Sequence, residues 1–241
     1  MKSRFCLFVL WSSCLAAQTF IQAAQNGVTA STAVTVNINT NSGNAVVVWC
    51  TQGANNTSTL TITDSASQTG WAQTSSGYAS QGTSDRSAIF YKSNSAALTS
   101  VTCTWSGSLS ATLGATVFEL GGIASSGAED SSVNSGQATT TTATSGSLST
   151  TSARDILLFA VRWSGAVTSP TAGSGYTLPA NATSTRTTMQ YKIVSTTQSA
   201  VTTTLTWTNS VNDANIFAAF KAATVAPTGL SKQRRYEQVD R

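Results

Sequence analysis

The chain of 241 residues contains no histidine. That absence removes the base of a Ser-His-Asp triad, the partner of a Cys-His pair and the commonest ligand of transition-metal sites. Charge is also scarce. Asp, Glu, Lys and Arg make up 9% of the chain, against about a quarter in an ordinary soluble domain. Helix formers such as Glu, Lys, Gln and Leu are correspondingly few, and Ser, Thr, Gly and Ala fill their places. Thr and Val favour pleated surfaces, and Gly, Asn and Ser favour turns. The fold expected from this composition is all-β.

The formal charge of +4 is unevenly placed. Lys2 and Arg4 stand near the start, and a further excess lies in the final segment with Lys232, Arg234, Arg235 and Arg241. Between residues 27 and 223, seven basic side chains face seven acidic ones. A neutral body has no stripe to neutralise phosphates, so nucleic acid is not expected as a partner.

Long hydrophobic runs are missing too. The apolar stretch from Phe5 to Trp11 is too short to span a bilayer, which takes about 20 residues. Basic residues before it and small residues after it form a secretory signal pattern. Cleavage after Ala17, Ala23 or Ala24 fits the pattern. The expected organisation is a signal peptide over 1–24, a β-sandwich domain over 25–223 and a charged tail over 224–241. No membrane span is expected, and the location expected is secreted or at the cell surface, with the periplasm as a variant.

Cys6 and Cys14 fall in the leader, which leaves Cys50 and Cys103. In an oxidising compartment these two are expected to pair. Two buried free thiols are the alternative.

What the chain does contain is alternation. "AVTVNINT" places Val34, Val36 and Ile38 on one face, and "STLTIT" does the same with Leu60 and Ile62. "NAVVVWC" (44–50) and "RDILLFAVRW" (154–163) are apolar on both faces and read as central strands. "RSAIFYK", "SVTCTW", "ATLGATVFEL", "STRTTMQYKIV", "AVTTTLTW" and "ANIFAAFKAA" complete the series. Gly/Ser/Asn turns separate them at sandwich spacing. Residues 124–154 fit either a Ser/Thr linker or two edge strands of low hydrophobicity.

The strands also repeat in order. Tyr91-Lys92 answers Tyr191-Lys192, Trp105 answers Trp207, and Gly70-Trp71 answers Gly175-Tyr176. The expected architecture is an antiparallel β-sandwich, jelly-roll-like or immunoglobulin-like. It is an internally duplicated double sheet with halves at about 27–123 and 135–223. Two tandem small sandwiches are the alternative.

The ordered set "NAVVVWC", "ITDSASQTGW", "IFYKSNS", "VTCTWSG" and "VFELGG" resembles a group of poorly characterised secreted bacterial β-sandwich surface proteins. "DILLFAVRWSG", "AGSGYTL", "MQYKIVS" and "FAAFKAA" resemble the companion pattern of that group. The resemblance covers most of residues 30–223. It implies a β-sandwich on secreted or surface proteins and implies no catalytic residues.

Few residues stand out chemically. Asp64, Asp85, Asp155 and Asp213 sit at expected strand ends, where carboxylates cap turns. No Asp-x-Asp-x-Asp-Gly calcium loop is present, and no metal or cofactor is expected. Glu119 continues an apolar face and is a candidate buried charge, with Lys92, Arg86 or backbone amides as its partner. A solvated position at the strand end is the alternative. Trp71 and Tyr176, each after a turn glycine, are the candidate exposed aromatics for ligand binding. The expected function is a non-enzymatic surface, adhesive or structural module, with glycans or other surface proteins as partners. A carbohydrate-binding module and a phage or virion surface protein are the alternatives.

Overall fold

The structure, a computed structural model, describes residues 17–53, 57–82, 85–107, 112–184 and 186–224. The expected signal segment up to residue 16 and the charged tail from 225 lie outside the described residues.

The fold is an antiparallel β-sandwich with a duplicated strand plan. The first half contains β1 (Thr19–Thr29), β2 (Ala33–Asn37), β3 (Ala45–Gln52), β4 (Leu60–Asp64), β5 (Ala72–Ala79), β6 (Arg86–Lys92), β7 (Ser100–Trp105) and β8 (Thr112–Gly121). The second contains β9 (Glu129–Thr144), β10 (Asp155–Trp163), β11 (Thr171–Ala172), β12 (Thr187–Val194) and β13 (Thr204–Lys221).

Both central strands are buried along their whole length because each separates two cores. In β3, Val47 and Trp49 face the core between the halves, while Val46, Val48 and Cys50 face the core of the first half. In β10, Ile156, Leu158 and Ala160 face the shared core, and Leu157, Phe159, Val161 and Trp163 face the core of the second half. A strand wetted on neither side reads as a continuous apolar run, as both do.

The result is a stack of layers. An outer sheet, β2-β7-β4, covers an inner sheet, β1-β8-β3-β6-β5. The inner sheet packs face to face on β9-β13-β10-β12. The first residues of β13, paired with β11 and with the far part of β9, cover the other face of that sheet. Register relates the halves strand by strand. Val47 lies between Tyr91 and Phe118, as Leu158 lies between Tyr191 and Ala218. Thus β3 corresponds to β10, β6 to β12 and β8 to the end of β13. Cys103 pairs with Val34 and Ile62, as Leu205 pairs with Ala143 and Ala172. Leu205 therefore holds the place of Cys103.

Two segments differ from the expectation. The leader boundary drawn at residue 24 falls inside β1. Phe20 packs on Phe118 and Tyr191, with ring centroids 5.1 and 4.5 Å away, and Ala23 belongs to the shared core. Of the three possible cuts, only the one after Ala17 leaves β1 whole. The Ser/Thr-rich segment expected as a linker or as two strands forms one long strand, β9. Its half-polar sequence fits its place, since side chains of Glu129, Ser132 and Asn134 bond the edge of β5 at Ser75, Ser76 and Tyr78.

Candidate functional site

The disulfide joins the two layers of the first half. Cys50 of β3 and Cys103 of β7 are bonded, with Cα atoms 6.1 Å apart. Beside this staple, a groove of about 520 Å3 runs along β4. Its wall is β4, its far side is the turn Ser67–Gly70, and Trp71 and Phe90 line it.

The groove exists because the two sheets of the first half are unequal. Five inner strands face three outer ones. The inner face of β6 at Phe90 therefore extends past β4 and is only half-buried. Ser65 donates to Ser100 and Ser106 to Thr59, so alternate residues of β4, Thr61 and Thr63, bond to β7. The backbone groups of Leu60, Ile62 and Asp64 point the other way, along the groove. The Leu60 amide donates to the Tyr78 hydroxyl at 3.1 Å, and Arg86 lies over the Tyr78 ring at 3.6 Å.

Trp71 is held rather than free. Its indole Nε1 donates to Asp64 Oδ2 at 2.8 Å. The other oxygen of Asp64 accepts from the amides of Ala66 and Gln68. Asp64 thus caps its turn, as expected for a strand-end aspartate, and also sets the indole against the groove. Lys92 supports the same turn by donating to Thr69 O at 2.6 Å.

Tyr176 occupies the matching place in the second half but not the matching environment. It packs on Phe217 within the second-half core. Its hydroxyl is buried without a hydrogen-bond partner, and burial raises its pKa. The two candidate aromatics thus sit in different halves, and only Trp71 lines this groove. The reason lies at residue 190. Phe159 pairs with Gln190 as Val48 pairs with Phe90. The Gln190 oxygen accepts from the Gly173 amide at 2.9 Å, and its nitrogen donates to Thr204 O at 3.0 Å. One side-chain amide thereby stands in for the direct backbone bond that Thr63 makes to β7. It leaves β11 only two residues long and fills the place where the first half keeps its groove.

Glu119 is fully buried. No lysine or arginine pairs with it among the described residues. Its oxygens accept from Gln22 Nε2 at 2.6 Å, Asn44 Nδ2 at 2.6 Å and the Asn41 amide at 2.7 Å. Burial pushes the carboxyl up, but these donors outweigh it and hold the group below the ordinary carboxylate range. Lys92, the other candidate buried charge, is only half-buried and bonds to Thr69 instead.

Other buried charges were not evident from the sequence, because the strands that enclose them are distant in the chain. Arg162 Nη1 meets Asp85 Oδ2 at 2.7 Å, and both side chains are enclosed. Asp213 lies fully buried, bonded to Asn215, and burial pushes it up to about 7. Among the described residues no group of three His, Cys, Asp or Glu side chains is placed to hold a metal ion. No helix among them is long and apolar enough to cross a membrane. No protein-family model, curated protein or solved structure matches the chain.

Proposed function

We propose that this protein is a secreted, non-enzymatic surface module of adhesive or structural type, and that it makes its contacts through the groove beside β4. The observation that carries this reading is the asymmetry of the duplicated halves. One copy keeps its groove open and sets Trp71 against it, while the other fills the same place with Gln190. The groove's own carboxylate, Asp64, holds a turn and an indole, which suits a shaped surface rather than acid–base work. The disulfide suits an oxidising compartment, and the resemblance to secreted bacterial β-sandwich proteins points the same way.

The test compares the full chain with its Trp71→Ala variant in self-association by light scattering and in binding to surface polymers. The expected result is a contact that the variant loses while it melts as a folded protein. A contact that survives Trp71→Ala unchanged overturns the groove as its seat.

A carbohydrate ligand is a second reading, favoured by one feature. Trp71 and Phe90 offer aromatic surface beside the backbone of Ile62, which faces the groove, the pairing that sugar rings and hydroxyls require. A glycan array separates the two readings. Selective binding there supports a lectin, and silence alongside self-association sinks it.

A further inference from the structure

Three side chains that the groove does not use meet at one end of the second half. Asp130 lies on β9, Asp155 opens β10 and Lys221 closes β13. Lys221 stands directly opposite Asp155 in register. The β9 ladder skips a residue between Glu129 and Ser131, so Asp130 is the extra residue of a bulge. Bulges re-aim side chains, and this one brings a carboxyl into a nearly closed place. The Asp130 side chain is 2% exposed, and Lys221 Nζ lies 4.0 Å from its Oδ1.

The surroundings of Asp130 are built. Its Oδ2 accepts two backbone amides, from Thr151 at 2.6 Å and Ser152 at 2.9 Å. Its Oδ1 accepts the Thr151 hydroxyl. Beside it, Asp155 is fully buried, with its carboxyl against the Asp130 side chain and the Thr150 hydroxyl. Burial first, and the neighbouring Asp130 second, push Asp155 up to about 7.

The first half has an equivalent bulge without this chemistry. Ile21 is its extra residue and stands 40% exposed. Asn44 and Gly121 occupy the places of Asp155 and Lys221 by register. The trio is therefore particular to the second half and is not part of the shared scaffold.

We propose that Lys221 and Asp130 join through an intramolecular amide bond, with Asp155 carrying the protons. Asp155 gives its proton to Asp130 Oδ1 and takes one from the Lys221 ammonium. The neutral Nζ attacks Cγ of Asp130. The negative charge of the tetrahedral intermediate falls on Oδ2, between the Thr151 and Ser152 amides, an arrangement suited to a developing oxyanion. A second lysine proton passes through Asp155 to Oδ1, which leaves as water. The C–N bond forms, the C–Oδ1 bond breaks, and Asp155 ends protonated as it began. An ammonium and a carboxylate become an amide and water, so no oxidant or co-reactant is needed. Fixed neighbours favour the step, with both carboxyls enclosed and the Lys221 side chain 34% exposed.

The test is a tryptic digest of the secreted full chain after reduction of the Cys50–Cys103 bond. The expected product is a branched peptide carrying Asp130 on one arm and Lys221 on the other, one water lighter than the sum of its arms. Cleavage after Lys221 fails in that product. Separate peptides with normal cleavage after Lys221 overturn the proposal, and so does a bond mapped to Glu129 or Asp155. Asp155→Asn keeps the shape but carries no acid proton, and its digest is expected to give unlinked peptides. Linked peptides from a folded Asp155→Asn overturn the proton-carrying role. Lys221→Arg supplies the unlinked control. The wild-type digest decides the bond by itself, so a variant that fails to fold does not weaken the test.

Discussion

Cys50 and Cys103 in the first half correspond to Val161 and Leu205 in the second, and the chain path explains the difference. In the second half the inner and outer layers are continuous, because β9 and β13 each run through both. In the first half the same path is broken into β1 and β2, and into β7 and β8. The outer sheet there hangs on loops, and that is where the covalent staple sits. An apolar pair suffices where backbone already ties the layers together.

The largest expected effect breaks the staple. The Cys50→Ala, Cys103→Ala double variant is expected to lose about 4 kcal/mol in denaturant melts, on the chain-entropy account of a crosslink of this span. Val161→Cys with Leu205→Cys sharpens the comparison. The new pair is expected to oxidise spontaneously, since register gives it the geometry of the native one. Its gain should be smaller than the loss in the first half, because continuous strands already restrain that layer. Two alkylatable thiols in the variant after air oxidation would break the equivalence of the two pairs.

The halves also treat buried charge differently. Glu119 of the first half corresponds to Ala219 of the second, and the amide cage around Glu119 has no counterpart to lose. Glu119→Gln places a side-chain NH2 among donors and should cost about 2 kcal/mol at neutral pH. Because the folded carboxyl sits below its ordinary range, this stability is complete above the unfolded pKa. It is lost as pH falls through the lowered folded value. Wild type and variant melts should therefore converge in acid, and a gap that stays constant with pH would remove the charge from the explanation.

Asp213 in the second half has the opposite sign. Burial raises it to about 7, so between its unfolded value and about 7 the folded state holds a proton that the unfolded state has released. Its contribution is present in acid and fades as pH rises through that window. Asp213→Asn removes the penalty and offers a donor to the unpaired Asn215 oxygen. The expected gain is on the order of 2 kcal/mol at pH 8, with almost none at pH 4. Equal melting of the two proteins at pH 8 would refute the assignment.

These contrasts mark what could be read from the sequence. Strands whose side chains alternate or run apolar on both faces were legible, because burial in a sheet imprints its period on composition. The order of repeated residues exposed the duplication for the same reason. The first strand was not legible, since Phe20, Ala23 and Ala24 continue the apolar and small residues of the leader pattern. The β9 strand was hidden because an edge that bonds through Ser, Asn and Glu side chains looks like a linker. Tyr176 is half-buried like Trp71, but its packing on Phe217 could not be read locally, because that residue is distant in sequence. The buried Asp155 and Asp213 read as turn caps for a related reason. The position of a strand end is local information, but what covers it is not.

The smallest effect concerns the residue that fills the second groove. Gln190 separates Gly173 from Thr204 and supplies both with partners. Gly173 has no side chain because a Cβ there would strike Thr204, so the two backbones are already close. Gln190→Leu removes the intervening amide and leaves one donor facing one acceptor. The expected response is a direct Gly173–Thr204 bond like that between Thr63 and Thr102, which holds the net loss to about 1 kcal/mol. Hydrogen exchange at the Gly173 amide reads this outcome directly. Continued protection means that the two halves share one ladder, which Gln190 merely interrupts. Fast exchange, with a loss of about 3 kcal/mol from two unpaired buried groups, would mean that the loops hold β11 apart and that the closed groove is built into the backbone.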